Sequence, residues 1–124
     1  MWLARRVAFV PALALSVVVA ACGGGEGESE RPDVATWEAA WTPLVEAVPA
    51  PPADRDACES YLASIRAERE NVFPSPSESL DSTVTEWIDK AEQLTFDCDE
   101  DAYAEEFDQL GVIEEEIDAG IAAL

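Results

Sequence analysis

Residues 75–98 read SPSESLDSTVTEWIDKAEQLTFDC, and the spacing of their apolar side chains decides the fold class. These side chains recur at every third or fourth position, which places them on one stripe of an α-helix. Ser75 supplies a capping side chain, Pro76 the first helical position and Glu78 the third, which predicts the helix start. We expect the helix to end near Phe96. Its inner stripe consists of Leu80, Val84, Trp87, Ile88, Ala91 and Leu94.

The same periodicity predicts three more helices and no strand. A short first helix covers residues 37–48, and Pro43 is expected to kink it or restart it behind Thr42. A proline-rich break follows, and the second helix covers residues 58–71. We therefore predict an all-α fold, a small bundle of three long helices plus a short, proline-kinked first helix. The last helix is capped by Asp99, and its inner face consists of Tyr103, Phe107, Leu110, Ile113, Ile117, Ile121 and Leu124.

Gly111 interrupts the pattern of the last helix. Glycine in a helix interior costs up to about 1 kcal/mol relative to alanine. We expect it either to let a neighbouring helix approach closely or to break the helix.

The first residues of the chain have the features of an export signal. Arg5 and Arg6 precede an apolar run at residues 7–19. The run has about thirteen residues, fewer than the roughly twenty that cross a bilayer, and Pro11 interrupts it. This combination favours a removed signal over a permanent membrane span.

A cysteine stands at the point where such a signal would be cut. Residues 19–22 read VAAC, which resembles the lipobox of bacterial lipoproteins: an aliphatic residue, two small residues and cysteine. The resemblance covers residues 1–22, and a plain signal peptide with an incidental cysteine is the alternative. It implies that residues 1–21 are removed and that Cys22 carries acyl chains. The protein would then be anchored at the extracytoplasmic face of the cell membrane, stably so with two chains.

The chain after the signal divides into a tether and one domain. Residues 22–31 comprise the lipidated cysteine and the sequence GGGEGESER, which has the composition of a flexible linker. Its root-mean-square reach is about 15 to 18 Å. Residues 32–124 are too few for two domains, and we expect one acidic helical domain.

Assigning Cys22 to lipid leaves Cys58 and Cys98 as a pair in an exported chain, which predicts a disulfide. Free thiols or a metal site are the alternatives, and the absence of histidine and of a CxxC spacing disfavours the metal. A plain hairpin of the second and third helices would keep the two cysteines apart. If residues 71–75 are extended, the second helix together with this segment has about the same length as the third helix. Cys58 can then reach Cys98 and staple the turn between the third and fourth helices.

The chain is strongly acidic. Removal of the signal takes two of the seven basic residues and leaves five against 27 acidic ones, a formal charge of −22. Such a surface disfavours nucleic acid and would be repelled by anionic lipid headgroups. The lipid would therefore hold the domain at the membrane. A salt-rich habitat is another explanation for this charge.

Five acidic residues around Cys98 match in part the spacing of an EF-hand calcium loop. Ala102 stands where the sharp turn of that loop requires glycine. Acids at a helix N-terminus are also favoured by the helix dipole without any metal. We interpret the set as helix capping, with weak divalent-cation binding as the alternative. Its members are Asp97, Asp99, Asp101, Glu105 and Asp108.

Tryptophans and arginines form two further candidate sets. Trp37, Trp41 and Trp87 have helical spacing, which favours core packing over a groove for a sugar or a peptide. Arg66 and Arg69 lie on one helical face, where salt bridges with the many carboxylates are favoured over an anionic ligand.

No set of residues predicts catalysis. The sequence has no histidine, no cysteine beyond those assigned, and no glycine-rich phosphate loop after a strand. We expect a non-enzymatic interaction or binding module of the cell envelope without a cofactor. Its partners would be the membrane, through the lipid, and another envelope protein. The alternative is a weak divalent-cation or small-ligand binder that uses the acidic turn around Cys98.

Overall fold

The computed structural model describes residues 30–124, and all regular structure in this range is helical. The prediction of an all-α bundle is confirmed, although the first helix, with 13 residues, is only one residue shorter than the second. The elements in chain order are α1 Val34–Glu46, α2 Arg55–Glu68, a 3-10 turn Arg69–Val72, α3 Glu78–Asp97 and α4 Tyr103–Ala122.

Three predicted features lie outside the described residues: the signal peptide at residues 1–21, the lipidation site Cys22 and the tether as far as residue 29. Residues 31–124 form one compact unit. In the described range no helix combines the length and the apolar character that crossing a bilayer requires.

Helix α3 is the central element, because it packs against both α2 and α4. All six residues of its predicted inner stripe are buried, and Trp87 and Ile88 are fully so. Helix α1 adds Trp37, Trp41 and Leu44 to the same core. Burying one large apolar side chain contributes about 1.5 to 3 kcal/mol relative to exposing it, so this single core is the main source of stability.

The start of α3 differs from the prediction by two residues. The N-cap is Ser77, whose hydroxyl oxygen accepts a hydrogen bond from the Leu80 N–H at 3.3 Å. Ser75, the predicted cap, is instead fully buried. Its hydroxyl donates to the Asp81 carboxylate at 2.7 Å. A buried hydroxyl needs such a partner, and this contact takes Ser75 out of the capping role.

Helix α1 runs through Pro43 and does not restart behind Thr42. The Asp33 side chain caps its start and accepts a hydrogen bond from the Thr36 N–H at 2.7 Å. Pro43 lies in the last turn, where its missing N–H costs the helix one hydrogen bond, the one to the Ala39 carbonyl. The helix therefore tolerates this proline.

The connection between α2 and α3 is only partly extended. Phe73 has extended backbone angles, φ −123° and ψ 138°, but Asn71 and Val72 belong to the 3-10 turn. The prediction of an extended segment from residue 71 is therefore wrong at its first two positions. The Trp37 Nε1–H donates to the Val72 carbonyl at 2.9 Å and ties this turn to α1.

Two glycines of α4 have different surroundings. The helix continues through Gly111, where a Cβ atom would meet nothing within 4 Å, so neither expectation for this residue holds. A Cβ at Gly120 would lie 2.6 Å from the Leu80 Cδ2 atom. The end of α4 therefore packs closely on the first turn of α3. Leu124, predicted on the inner face, lies beyond the helix and is 63% exposed.

Candidate functional site

The disulfide end of the bundle carries the candidate site. Cys58 and Cys98 are joined, with their Cα atoms 6.2 Å apart, and the predicted pairing is confirmed. Cys98 is the residue that ends α3, and its backbone lies in the left-handed region at φ 44° and ψ 47°. As predicted, the bridge fastens the start of α2 to the turn between α3 and α4.

A loop at residues 47–54 closes over this turn. The Tyr103 hydroxyl donates to the Pro49 carbonyl at 2.6 Å. The Cys98 sulfur lies 3.6 Å from the Asp54 carbonyl oxygen, so the end of the loop touches the bridge. Burial raises the pKa of Tyr103 above its ordinary value of 10.0, so the hydroxyl remains a donor into more alkaline solution than an exposed tyrosine would.

The turn at residues 98–102 is organised by Asp99, although not as the predicted helix cap. The Asp99 carbonyl accepts hydrogen bonds from the Ala102 N–H at 3.1 Å and the Tyr103 N–H at 2.8 Å. Its side chain accepts from the Asp101 N–H at 3.0 Å, which is the Asx-turn geometry. Helix α4 begins at Tyr103 after Ala102, with no side-chain cap. The predicted start at Asp99 is therefore wrong by a full turn.

The five acidic residues that resemble a calcium loop do not converge. Asp97 accepts a hydrogen bond from Gln93 at 2.7 Å within α3, while Glu105 and Asp108 are exposed along α4. Between residues 30 and 124, no three side chains of the metal-binding types are grouped so that they could hold an ion. The structure gives the cation-binding alternative no geometric support.

A groove opens beside the bridge, with a volume of about 310 Å³. One wall is the proline-rich loop, and the other is the turn with the first residues of α4. Most of the lining is apolar, and the one charged lining side chain is an exposed glutamate. The lining consists of Pro51, Pro52, Ala53, Glu100, Tyr103 and Ala104.

Acidic side chains dominate the surface around this groove. The turn carries the exposed residues Asp99, Glu100 and Asp101, and Glu105 is exposed in the first turn of α4. Arg55 is the basic residue at the start of α2, and its guanidinium donates to the Phe96 carbonyl at 3.4 Å. The groove therefore combines an apolar floor with an anionic surround.

Trp37, Trp41 and Trp87 form part of the core, as their spacing predicted. Each is at most 5% exposed. The rings of Trp37 and Trp41 stack with centroids 5.1 Å apart, and Trp87 meets Trp41 edge-on at 4.8 Å. The Trp87 Nε1–H donates to the Glu114 carboxylate at 3.0 Å. None of these rings is free to line a groove for a sugar or a peptide.

Arg66 in α2 and Arg69 in the following turn form ion pairs with α3, again as predicted. Arg66 lies 3.9 Å from the Glu92 carboxylate, and Arg69 contacts both Glu92 and Asp89, the latter at 3.6 Å. Their charges are already matched by neighbours, and this leaves an anionic ligand little to bind.

Sequence reasoning did not foresee the cluster at the other end of α3. Arg31 donates to the Asp81 carboxylate at 3.0 and 3.3 Å and to the Ser75 carbonyl at 3.0 Å. The Arg31 hydrogen bonds, helped by those from Ser75, lower the pKa of Asp81 to about 2. Arg31 lies 50 positions from Asp81 in the chain, and no local pattern signals such a contact. The cluster fixes the start of the domain to α3.

Comparison of the chain with protein-family models, with curated proteins and with solved structures found no significant match. Function is therefore inferred from the geometry and charge of residues 30–124 and from the sequence pattern of the first 22 residues.

Proposed function

We propose that the protein is a lipid-anchored interaction module of the cell envelope, which acts by binding another envelope protein and not by catalysis. Cys22 would carry the lipid, and residues 23–30 would link it to the domain on the extracytoplasmic side of the membrane. The VAAC sequence at residues 19–22 supports the anchor. The disulfide supports an oxidising location, because such bridges persist outside the cytoplasm.

One observation carries the binding role: the start of the domain is attached at one end of α3, and the groove lies at the other end. Arg31, the first residue of the domain, is held at the N-terminal end of α3 by Asp81. The bridge and the groove lie at its C-terminal end. Because α3 has 20 residues, the two ends are about 30 Å apart. The point where the tether joins the domain and the groove would thus lie at opposite ends of α3, so that anchoring would leave the groove accessible to a partner.

The anchor is tested first. The full chain should be expressed in a bacterium supplied with a radiolabelled fatty acid, beside a Cys22→Ser variant. We expect label and membrane recovery for the parent chain and neither for the variant. A parent chain that stays unlabelled would refute the lipid anchor.

The interaction is tested by crosslinking in native membranes, followed by identification of the captured proteins. We expect one envelope protein to be captured reproducibly by the parent chain and lost with Cys22→Ser, which leaves the folded domain unchanged. Capture of no reproducible partner would contradict the proposed function.

A further inference from the structure

We propose that the groove beside the Cys58–Cys98 bridge binds an arginine- or lysine-bearing segment of the partner protein. This inference rests on the proposed function, and it adds a location and a chemical class of ligand. The groove volume of about 310 Å³ matches one long side chain with its backbone better than a globular surface.

The lining suits a long basic side chain in two ways. Pro51, Pro52 and Ala53 offer apolar surface, on which the methylene stem of arginine or lysine packs. Glu100 supplies a carboxylate at the same groove, where a guanidinium can form a charge-assisted, bidentate contact. A purely apolar side chain would pack on the apolar surface but would leave the carboxylate without a partner.

Charge around the groove selects the same occupant. Asp99, Glu100 and Asp101 are exposed on the turn, and Glu105 is exposed one turn into α4. An acidic segment would be repelled by these carboxylates, and a neutral segment would gain no electrostatic attraction from them. A basic segment is attracted at long range and oriented at contact.

The walls of the groove are held in place before any ligand arrives. The bridge joins α2 to the turn, and the Tyr103 hydroxyl holds the loop at the Pro49 carbonyl. The two consecutive prolines have fixed φ angles. Because little backbone has to be ordered on binding, the loss of conformational entropy is small.

Two other surface grooves do not select an occupant in this way. The one between α2 and α3 contains Arg66, whose charge is paired with Glu92. The one between α1 and α2 is lined mainly by small residues such as Ala39 and Ala47, with Glu68 as its charged member. This second groove also has an apolar floor and one carboxylate, but that carboxylate already accepts a hydrogen bond from the Asn71 side chain at 2.7 Å. Neither groove is lined by a member of a run of exposed acidic residues such as residues 99–101.

The test measures binding of a labelled peptide of alternating arginine and serine to the full chain in detergent micelles. Two variants alter the groove: Ala104→Trp fills it, and Glu100→Gln removes its carboxylate. Each has a control on the exposed side of α4. Ala119→Trp, about 22 Å further along the helix, matches Ala104→Trp, and Glu115→Gln matches Glu100→Gln because it changes the net charge equally. We expect each groove variant to weaken binding about tenfold and each control to stay within about twofold.

A highly anionic protein attracts any cationic peptide, so the comparison within each pair decides the outcome. Equal losses in Glu100→Gln and Glu115→Gln, or in both tryptophan variants, would overturn the proposal. Circular dichroism of each variant confirms that the helices are retained. A peptide with glutamate in place of every arginine should not bind.

A photo-crosslinking residue at position 104 or 119 in native membranes separates this inference from the proposed function. We expect capture from position 104, with the crosslink mapped to a basic segment. Capture from position 119 alone would preserve the interaction module and refute the groove. If neither position captures a partner and general crosslinking captures none either, both the interaction module and the groove proposal are refuted.

Discussion

Cys98 combines three roles at one residue: it ends α3, it forms the bridge, and it has a left-handed backbone with φ 44°. Glycine is the usual residue at such a helix terminus, because a side chain in this conformation costs about 1 to 2 kcal/mol. The position therefore accepts an unfavourable backbone conformation in exchange for the disulfide.

Removal of the bridge should reveal both the stabilisation by the disulfide and the cost of the left-handed backbone at residue 98. The cysteines are 40 positions apart, and a loop of this length contributes about 4 kcal/mol in the chain-entropy description. We expect Cys58→Ala with Cys98→Ala to lower the free energy of unfolding by about that amount. Cys58→Ala with Cys98→Gly should recover about 1 kcal/mol, because glycine suits the left-handed backbone. Urea denaturation measures both, and equal stability of the two double variants would contradict the backbone argument.

Asp81 gives the domain a specific response to acid. Its pKa falls from an ordinary value of 3.8 to about 2 in the folded state, first because Arg31 donates to it. A depressed carboxyl pKa stabilises the fold above pH 3.8, and that contribution is lost as the pH falls through about 2.

We therefore expect Asp81→Asn to lower the free energy of unfolding at neutral pH by about 1 kcal/mol, a value reduced for the partial exposure of the pair. The difference from the parent should shrink as the pH falls from about 4 to 2. Thermal melts across this range measure it. Arg31→Gln is the matched variant, and a pH-independent difference would contradict the ion-pair explanation.

Among the elements, α3 shows what the sequence predicts and what it omits. Apolar spacing identified its buried stripe and its end within one residue, because these depend on local periodicity. The cap was misplaced at Ser75, because Ser75 and Glu78 have the capping-box spacing, whereas Ser77 is only one of the residue types preferred at an N-cap. The choice depends on Arg31, a residue distant in the chain that contacts the Ser75 carbonyl.

The two glycines of α4 provide an element-scale prediction. Gly111→Ala should raise the free energy of unfolding by about 1 kcal/mol, because the helix gains propensity and the new methyl meets no atom. Gly120→Ala should give no such gain, because its methyl would displace the buried Leu80 side chain. Urea denaturation of both variants checks the contrast. A similar gain in the two would show that α4 and α3 are less closely packed than described.

The whole molecule is dominated by like charge. Residues 31–124 contain 24 acidic and five basic residues, a formal charge of −19. In this range Asp81, Asp89 and Glu92 are the carboxylates within ion-pair distance of an arginine. Repulsion among the remaining carboxylates outweighs these few attractive pairs and opposes folding.

Salt should therefore stabilise the domain. We expect the melting temperature to rise by about 5 °C or more between about 0.01 and 1 M NaCl, as the screening length falls from about 30 to 3 Å. Calcium at matched ionic strength should have no larger effect, since among residues 30–124 no three side chains of the metal-binding types are clustered so that they could hold an ion. An excess stabilisation by calcium would restore the cation-binding alternative.

At the scale of the whole molecule, the sequence predicted the bridge but not the site beside it. Counting cysteines paired Cys58 with Cys98, and helix lengths located the bridge at the turn after α3. The acidic residues nearby were considered for a metal, because spacing along the chain does not show which side chains converge. The groove joins Pro51 to Glu100 and Tyr103, about fifty positions apart in the chain, so its walls meet only through the tertiary fold.

The bridge also limits how far the molecule can be stretched. If a partner holds the domain while the tether pulls on it, force is carried along the covalent chain. The 40 positions between the cysteines are bypassed by the S–S bond, which withholds about 130 to 140 Å of contour length from extension. Under tension, the oxidised domain would thus have a short maximum extension, and reduction of the disulfide would increase that extension.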